Sequence, residues 1–110
     1  MIDVDVLRAG NQTVGFTCSG HAEYDAYGKD IVCSAVSALT QTCILGLTNV
    51  AKIDAGVSVS EKDGITCILD RDATKEQIAQ AQLLFDTMVL GLGSIASAYP
   101  NTLNIQHREV

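Results

Sequence analysis

The chain has 110 residues, 47% of them hydrophobic, and a formal charge of −6. That length predicts one domain over residues 1–110 with a single modest core, and that hydrophobic share argues against disorder. Seven basic residues against thirteen acidic ones make direct nucleic-acid binding unexpected, whereas an acidic surface suits a basic protein or peptide partner. The start, Met1-Ile2-Asp3-Val4-Asp5, places acids where a signal peptide needs cations, and polar residues interrupt every long apolar stretch. A cytoplasmic protein with no membrane segment is therefore expected.

Met1 to Arg8 reads as a strand, with Ile2, Val4 and Val6 on one face and Asp3 and Asp5 on the other. Gly10-Asn11 is a turn signal, and Thr13 to Ser19 completes a hairpin. The loop from Gly20 to Lys29 holds His21, Tyr24, Tyr27 and Gly28, and is long for so small a domain. A first helix is predicted to start near Asp30, a good N-cap residue. Its apolar positions Val32, Val36, Leu39, Leu47, Val50 and Ile53, with Ala35, Ala38 and Cys43 between, run nearly all round. Such a helix is expected to be central or covered by a partner.

Gly56 to Glu61 and Ile65 to Asp70 read as a second hairpin around Lys62-Asp63-Gly64. Thr74-Lys75-Glu76-Gln77 is a capping box opening a second helix. Ile78, Ala81, Phe85, Met88, Leu92, Ile95 and Tyr99 mark its buried stripe, and Pro100 its end. Leu103, Ile105 and His107 alternate in a last strand. The order is ββαββαβ: an α+β fold with a mixed or antiparallel sheet of about five strands, packed with two helices on one face.

Two residues carry the chemistry. His21 lies in Gly20-His21-Ala22, just after a strand, and Cys33 lies in the first turn predicted for the apolar helix. An imidazole and a thiol meeting at a helix N-terminus can make a nucleophile: the imidazole takes the proton and the helix dipole favours the thiolate. The other three cysteines have plainer roles. Cys18 continues the alternation Val14, Phe16; Cys67 continues Ile65; Cys43 lies on a helical step from Leu39 to Leu47. Each is expected to be a small core residue, and the composition is not that of a disulfide scaffold.

Gly20-His21-Ala22, then Gly28, then Asp30-Ile31-Val32-Cys33 and Val36-Ser37-Ala38-Leu39 resemble the bacterial ribosomal-processing cysteine protease (Prp) family. Length and element order extend the resemblance over essentially the whole chain. It implies an enzyme without cofactor or metal that removes the N-terminal extension of large-subunit ribosomal protein twenty-seven, cutting after a short hydrophobic, aromatic-containing sequence. It also implies a homodimer. Matched residue by residue, His21 corresponds to the general base, Cys33 to the nucleophile, Asp30 to the acid before the cysteine and Ser37 to a serine one turn later. Ser34 departs from the small apolar residue common there.

Beside that resemblance several local readings stay open. Asp30 can be a helix cap or can pair with His21. Ser37, one turn beyond Cys33, can bond His21 or substrate, or its own helix at the Cys33 carbonyl. Gly20 and Gly28 can be hinges or ordinary turn residues, and Tyr24 and Tyr27 can line a peptide cleft or pack locally. Two rival functions remain: a metal site on Cys18, His21 and Cys33, and a noncatalytic ribosome-associated peptide-binding module.

Overall fold

Alternation of buried and exposed residues sets the first hairpin. β1 (Ile2–Ala9) buries Ile2, Val4 and Val6, and two turn residues, Gly10 and Asn11, lead into β2 (Gln12–Ser19). This computed structural model describes residues 1–20, 29–60 and 63–110; of Lys29 and Asp30 it describes the backbone only. The remaining elements are α1 (Lys29–Leu45), β3 (Ala55–Ser60), β4 (Gly64–Leu69), α2 (Lys75–Ala98) and β5 (Leu103–Glu109).

The five strands form one sheet in the order β3-β4-β2-β1-β5, in which only β1 and β5 run parallel. This is the mixed sheet and the ββαββαβ order expected from the sequence. Both helices cover the face carrying Val4, Phe16 and Cys67, all fully buried. Phe16 meets Phe85 of α2 edge to face, with ring centroids 6.3 Å apart and planes at 80°.

β2 breaks its own alternation. Leu7 pairs with Gly15 but Arg8 with Thr13, so Val14 is an extra residue bulged out of the ladder. A bulge leaves backbone groups to be satisfied elsewhere, and α2 supplies the partner. Thr13 N–H donates to Gln82 Oε1 at 2.7 Å, and Gln82 Nε2 donates to the Thr13 carbonyl at 2.8 Å. Arg8 Nη1 donates to the buried Thr13 hydroxyl at 2.7 Å. Gln82 thus ties helix to sheet where apolar packing alone would leave two buried polar groups unpaired.

The first helix differs from its sequence reading in four ways. It begins at Lys29, so Asp30 is a helical residue of the first turn rather than the flanking cap, and Cys33 falls one residue past that turn. It is apolar on its outer side as well, but it is an outer-layer helix and not a central one: Val32 and Val36 are buried, whereas Ile31 and Leu45 are exposed. After Leu45 it widens into a π-helical turn, Gly46–Val50, closed by the Ala51 N–H on the Gly46 carbonyl at 2.8 Å. Lys52, at φ 58°, ends it, leaving Val50 81% exposed and Ile53 outside the helix yet buried.

By length and composition Ile31–Val50 and Lys75–Ala98 are each long and apolar enough to cross a membrane, contrary to the sequence expectation. Here each turns its buried side to the sheet. In α2, Ala81, Phe85, Met88 and Leu92 are buried as predicted, but Tyr99 is the C-terminal flanking residue and is exposed.

The capping box is formed: Gln77 N–H donates to Thr74 Oγ1 at 3.1 Å, and Thr74 N–H donates to Gln77 Oε1 at 2.9 Å. Thr74→Ala is expected to lower stability by about 1 kcal/mol and Thr74→Ser by much less, read as shifts in urea midpoint at constant slope.

Candidate active site

Three elements converge on one hollow. The end of β2 contributes Cys18, Ser19 and Gly20; the β3–β4 hairpin contributes Ser60, Gly64 and Ile65; α1 contributes Cys33, Val36 and Ser37. Ile2 completes the described lining of this cavity, which has a volume of about 230 Å³. No charged side chain is among these lining residues. An open, shallow surface of α1, past Ser34, Ala38 and Gln41, adjoins the cavity at Cys33 and Ser37. Cys33, half-buried, therefore stands where the cavity meets the open face of α1.

Glycine is required at two points of the rim. Gly20 has φ 97°, and a Cβ there would run into the Met1 carbonyl oxygen. Gly64 has φ 83°, and a Cβ there would meet the Cys18 carbonyl oxygen. Both positive φ values are strained for any other residue.

Of the residues singled out in the sequence, the cavity gathers Cys33, Ser37 and Gly20. Asp30 lies in the first turn of α1. His21, Tyr24, Tyr27 and Gly28 lie outside the described residues, and with His21 goes the ligand set Cys18, His21 and Cys33. The Ser37 hydroxyl accepts from Gln41 Nε2 at 2.8 Å; among the described hydrogen bonds this, and not the Cys33 carbonyl, is its partner. Ile2, Ser60 and Ile65 were not singled out as site residues. They come to the cavity only through strand register, which pairs Ile65 with Cys18 and Ser60 with Gly64.

The family model described as cysteine protease Prp matches residues 1–104. The chain belongs to this family. It is thus a cysteine protease, and its curated relatives are ribosomal processing enzymes. Prp of Staphylococcus aureus is 27% identical over 112 residues, covering 98% of this chain and 100% of the relative. Prp of Bacillus subtilis is 24% identical, covering 96% of each. A crystal structure from Streptococcus mutans superposes with a TM-score of 0.82 at 28% identity, covering 100% of this chain and 96% of that one. The Staphylococcus aureus Prp structure in complex with a substrate peptide shares the fold, with a TM-score of 0.80 at 22% identity over 98% of this chain and 100% of that one.

A cysteine protease works through a thiolate, and three of the four thiols here are poorly suited to become one. Burial pushes Cys18 up to about 11, and the neighbouring Cys33 adds to the shift. Burial pushes Cys43 up to about 12, with Cys67 adding, and pushes Cys67 itself up to about 11. All three stay protonated at neutral pH. The core role expected of Cys43 and Cys67 holds, while Cys18 is only half-buried and also lines the cavity.

Brief treatment with iodoacetamide near pH 7.5 should therefore add a single carbamidomethyl group, mapped to Cys33. Labelling of Cys18, Cys43 and Cys67 should become appreciable only as pH approaches 11. Equal early labelling of Cys18 would show that the cavity holds two reactive thiols.

Proposed function

We propose that this protease removes the N-terminal extension of large-subunit ribosomal protein twenty-seven in the cytoplasm during ribosome assembly, with His21 as base and Cys33 as nucleophile. One observation carries the site assignment. Gly20 and Cys33 line the same cavity, and His21 follows Gly20 directly in the chain. His21 takes the Cys33 proton, and the thiolate attacks the scissile carbonyl carbon. His21 then returns the proton to the leaving amine, and water hydrolyses the thioester. The N-terminal turns of α1 favour the negative charge on sulfur and on the developing oxyanion. Among the described residues the cavity lining is uncharged, and its apolar members Ile2, Val36 and Ile65 suit a hydrophobic cleavage sequence.

The working unit in this reading is a homodimer. Ile31 and Leu45 of α1 and Leu83 and Leu90 of α2, each at least 55% exposed, give the helix layer apolar residues on its outer surface for a second copy. Sedimentation equilibrium should give twice the chain mass for the parent, and the monomer for Leu83→Glu/Leu90→Glu. Incubation with the precursor ribosomal protein, followed by intact mass, tests the function: two products whose masses sum to precursor plus one water are expected. An uncut precursor would overturn the reading.

A further inference from the structure

The two edges of the sheet are built differently. β5 ends in His107-Arg108-Glu109, and such charges discourage pairing with another strand. β3, Ala55-Gly56-Val57-Ser58-Val59-Ser60, has no charge and no proline, and its register with β4 runs without a bulge. Natural edge strands use those devices to avoid association. Among the described residues no strand pairs with its outer side, and an edge without those devices can accept one.

Hydrogen-bond phase shows which groups it offers. Asp70 N–H donates to the Asp54 carbonyl at 3.1 Å, in continuation of the register that pairs Ala55 with Leu69. In an antiparallel ladder inward and outward residues alternate. Gly56 and Ser58 therefore face β4, while the N–H and C=O groups of Ala55, Val57 and Val59 point outward. The side chains of Val57 and Val59 lie on the helix-covered face, since they pair with Cys67 and Ile65. The helices stop short of them: Val57 is 42% and Val59 68% exposed. The strand leads into the active-site cavity, because Ser60 and Ile65 line that cavity together with Cys33.

We infer that the substrate binds as an added strand on β3. An extended stretch of about six residues beside the scissile bond pairs its backbone with the outward groups of Ala55, Val57 and Val59, and enters the cavity at Ser60. Only an extended polypeptide backbone matches a row of alternating donors and acceptors with no side-chain charge. Alternate substrate side chains then fall beside Val57 and Val59, which selects apolar residues two positions apart. The inference rests on the proposed function and names the docking surface for that same site.

The test uses a synthetic peptide spanning the precursor's extension and the first residues after the cut. Each amide is N-methylated in turn. The expected result is alternation: kcat/KM falls tenfold or more at positions two apart and stays near the parent value at the position between. Hydrogen exchange in Cys33→Ala enzyme should slow over β3 when the unmodified peptide is added. Val57→Lys/Val59→Lys should raise KM tenfold or more with kcat little changed and an unaltered circular dichroism spectrum. A scan without alternation, or β3 exchange that ignores the peptide, overturns the inference. So does β3 protection that follows protein concentration, which would mean that a second copy pairs there. Failure of the enzyme to cut even the unmodified peptide would instead refute the proposed function, and exchange over β3 would still report on docking.

Discussion

Cys33→Ala is expected to abolish precursor cleavage, a loss of roughly 10³-fold or more, because the nucleophile has no substitute. Cys18 shares the cavity, but burial holds its thiol up at about 11, so it cannot supply a thiolate at neutral pH. The fold should survive, since Cys33 is half-buried at the rim and the substitution removes one sulfur atom from the outer core. His21→Ala should be nearly as damaging. His107→Gln should cut almost normally: His107 is exposed on β5 opposite Val6, while Ile2, the β1 residue that lines the cavity, pairs with Leu103. Intact-mass assays on the three variants decide the matter. Full activity in Cys33→Ala would remove Cys33 as nucleophile, and an essential His107 would mean that the wrong base was assigned.

The elements were legible in the sequence because their signals are local. Alternation marked β1, and the capping box marked the start of α2 at Lys75. The motif around Cys33 is equally local, and Cys33 and Ser37 are among the cavity's lining residues. Three things depended on pairings that no local pattern carries. The bulge at Val14 follows from the β1–β2 register, and its partner Gln82 is distant in the chain. The end of α1 was placed too late because Val50 and Ile53 keep an apolar rhythm through a π-helical turn and a left-handed Lys52. The start of α1 falls one residue before Asp30, the expected cap position: acids suit both the cap and the first turn, so residue type alone cannot separate positions one apart. The other cavity walls, Ile2, Ser60 and Ile65, are ordinary strand residues until the sheet order β3-β4-β2-β1 sets them around Cys33.

Phe85→Ala should produce the largest loss of stability, about 3–5 kcal/mol, because it removes a fully buried ring and leaves a cavity. Against a total of roughly 5–15 kcal/mol for a small domain, that places the variant near the limit of folding at 37 °C. Phe16→Ala should cost a similar amount, since its ring is equally buried and meets Phe85 edge to face. The two losses should not add. A double-mutant cycle by urea unfolding is expected to give a coupling of about 0.5–1.5 kcal/mol for the ring pair, and strict additivity would show that the edge-to-face contact contributes nothing beyond burial. The pair also bears on the site. Phe16 precedes Cys18 by two residues on β2, so the contact that pins this strand beneath α2 also fixes where its end, Gly20, lies at the cavity rim. Phe85→Leu keeps most of the apolar volume and should hold kcat near the parent value. Phe85→Ala, assayed at 15 °C where it is still folded, should lose activity through looser placement of the β2 end. An unchanged kcat in folded Phe85→Ala would show that the cavity rim is positioned independently of the aromatic core.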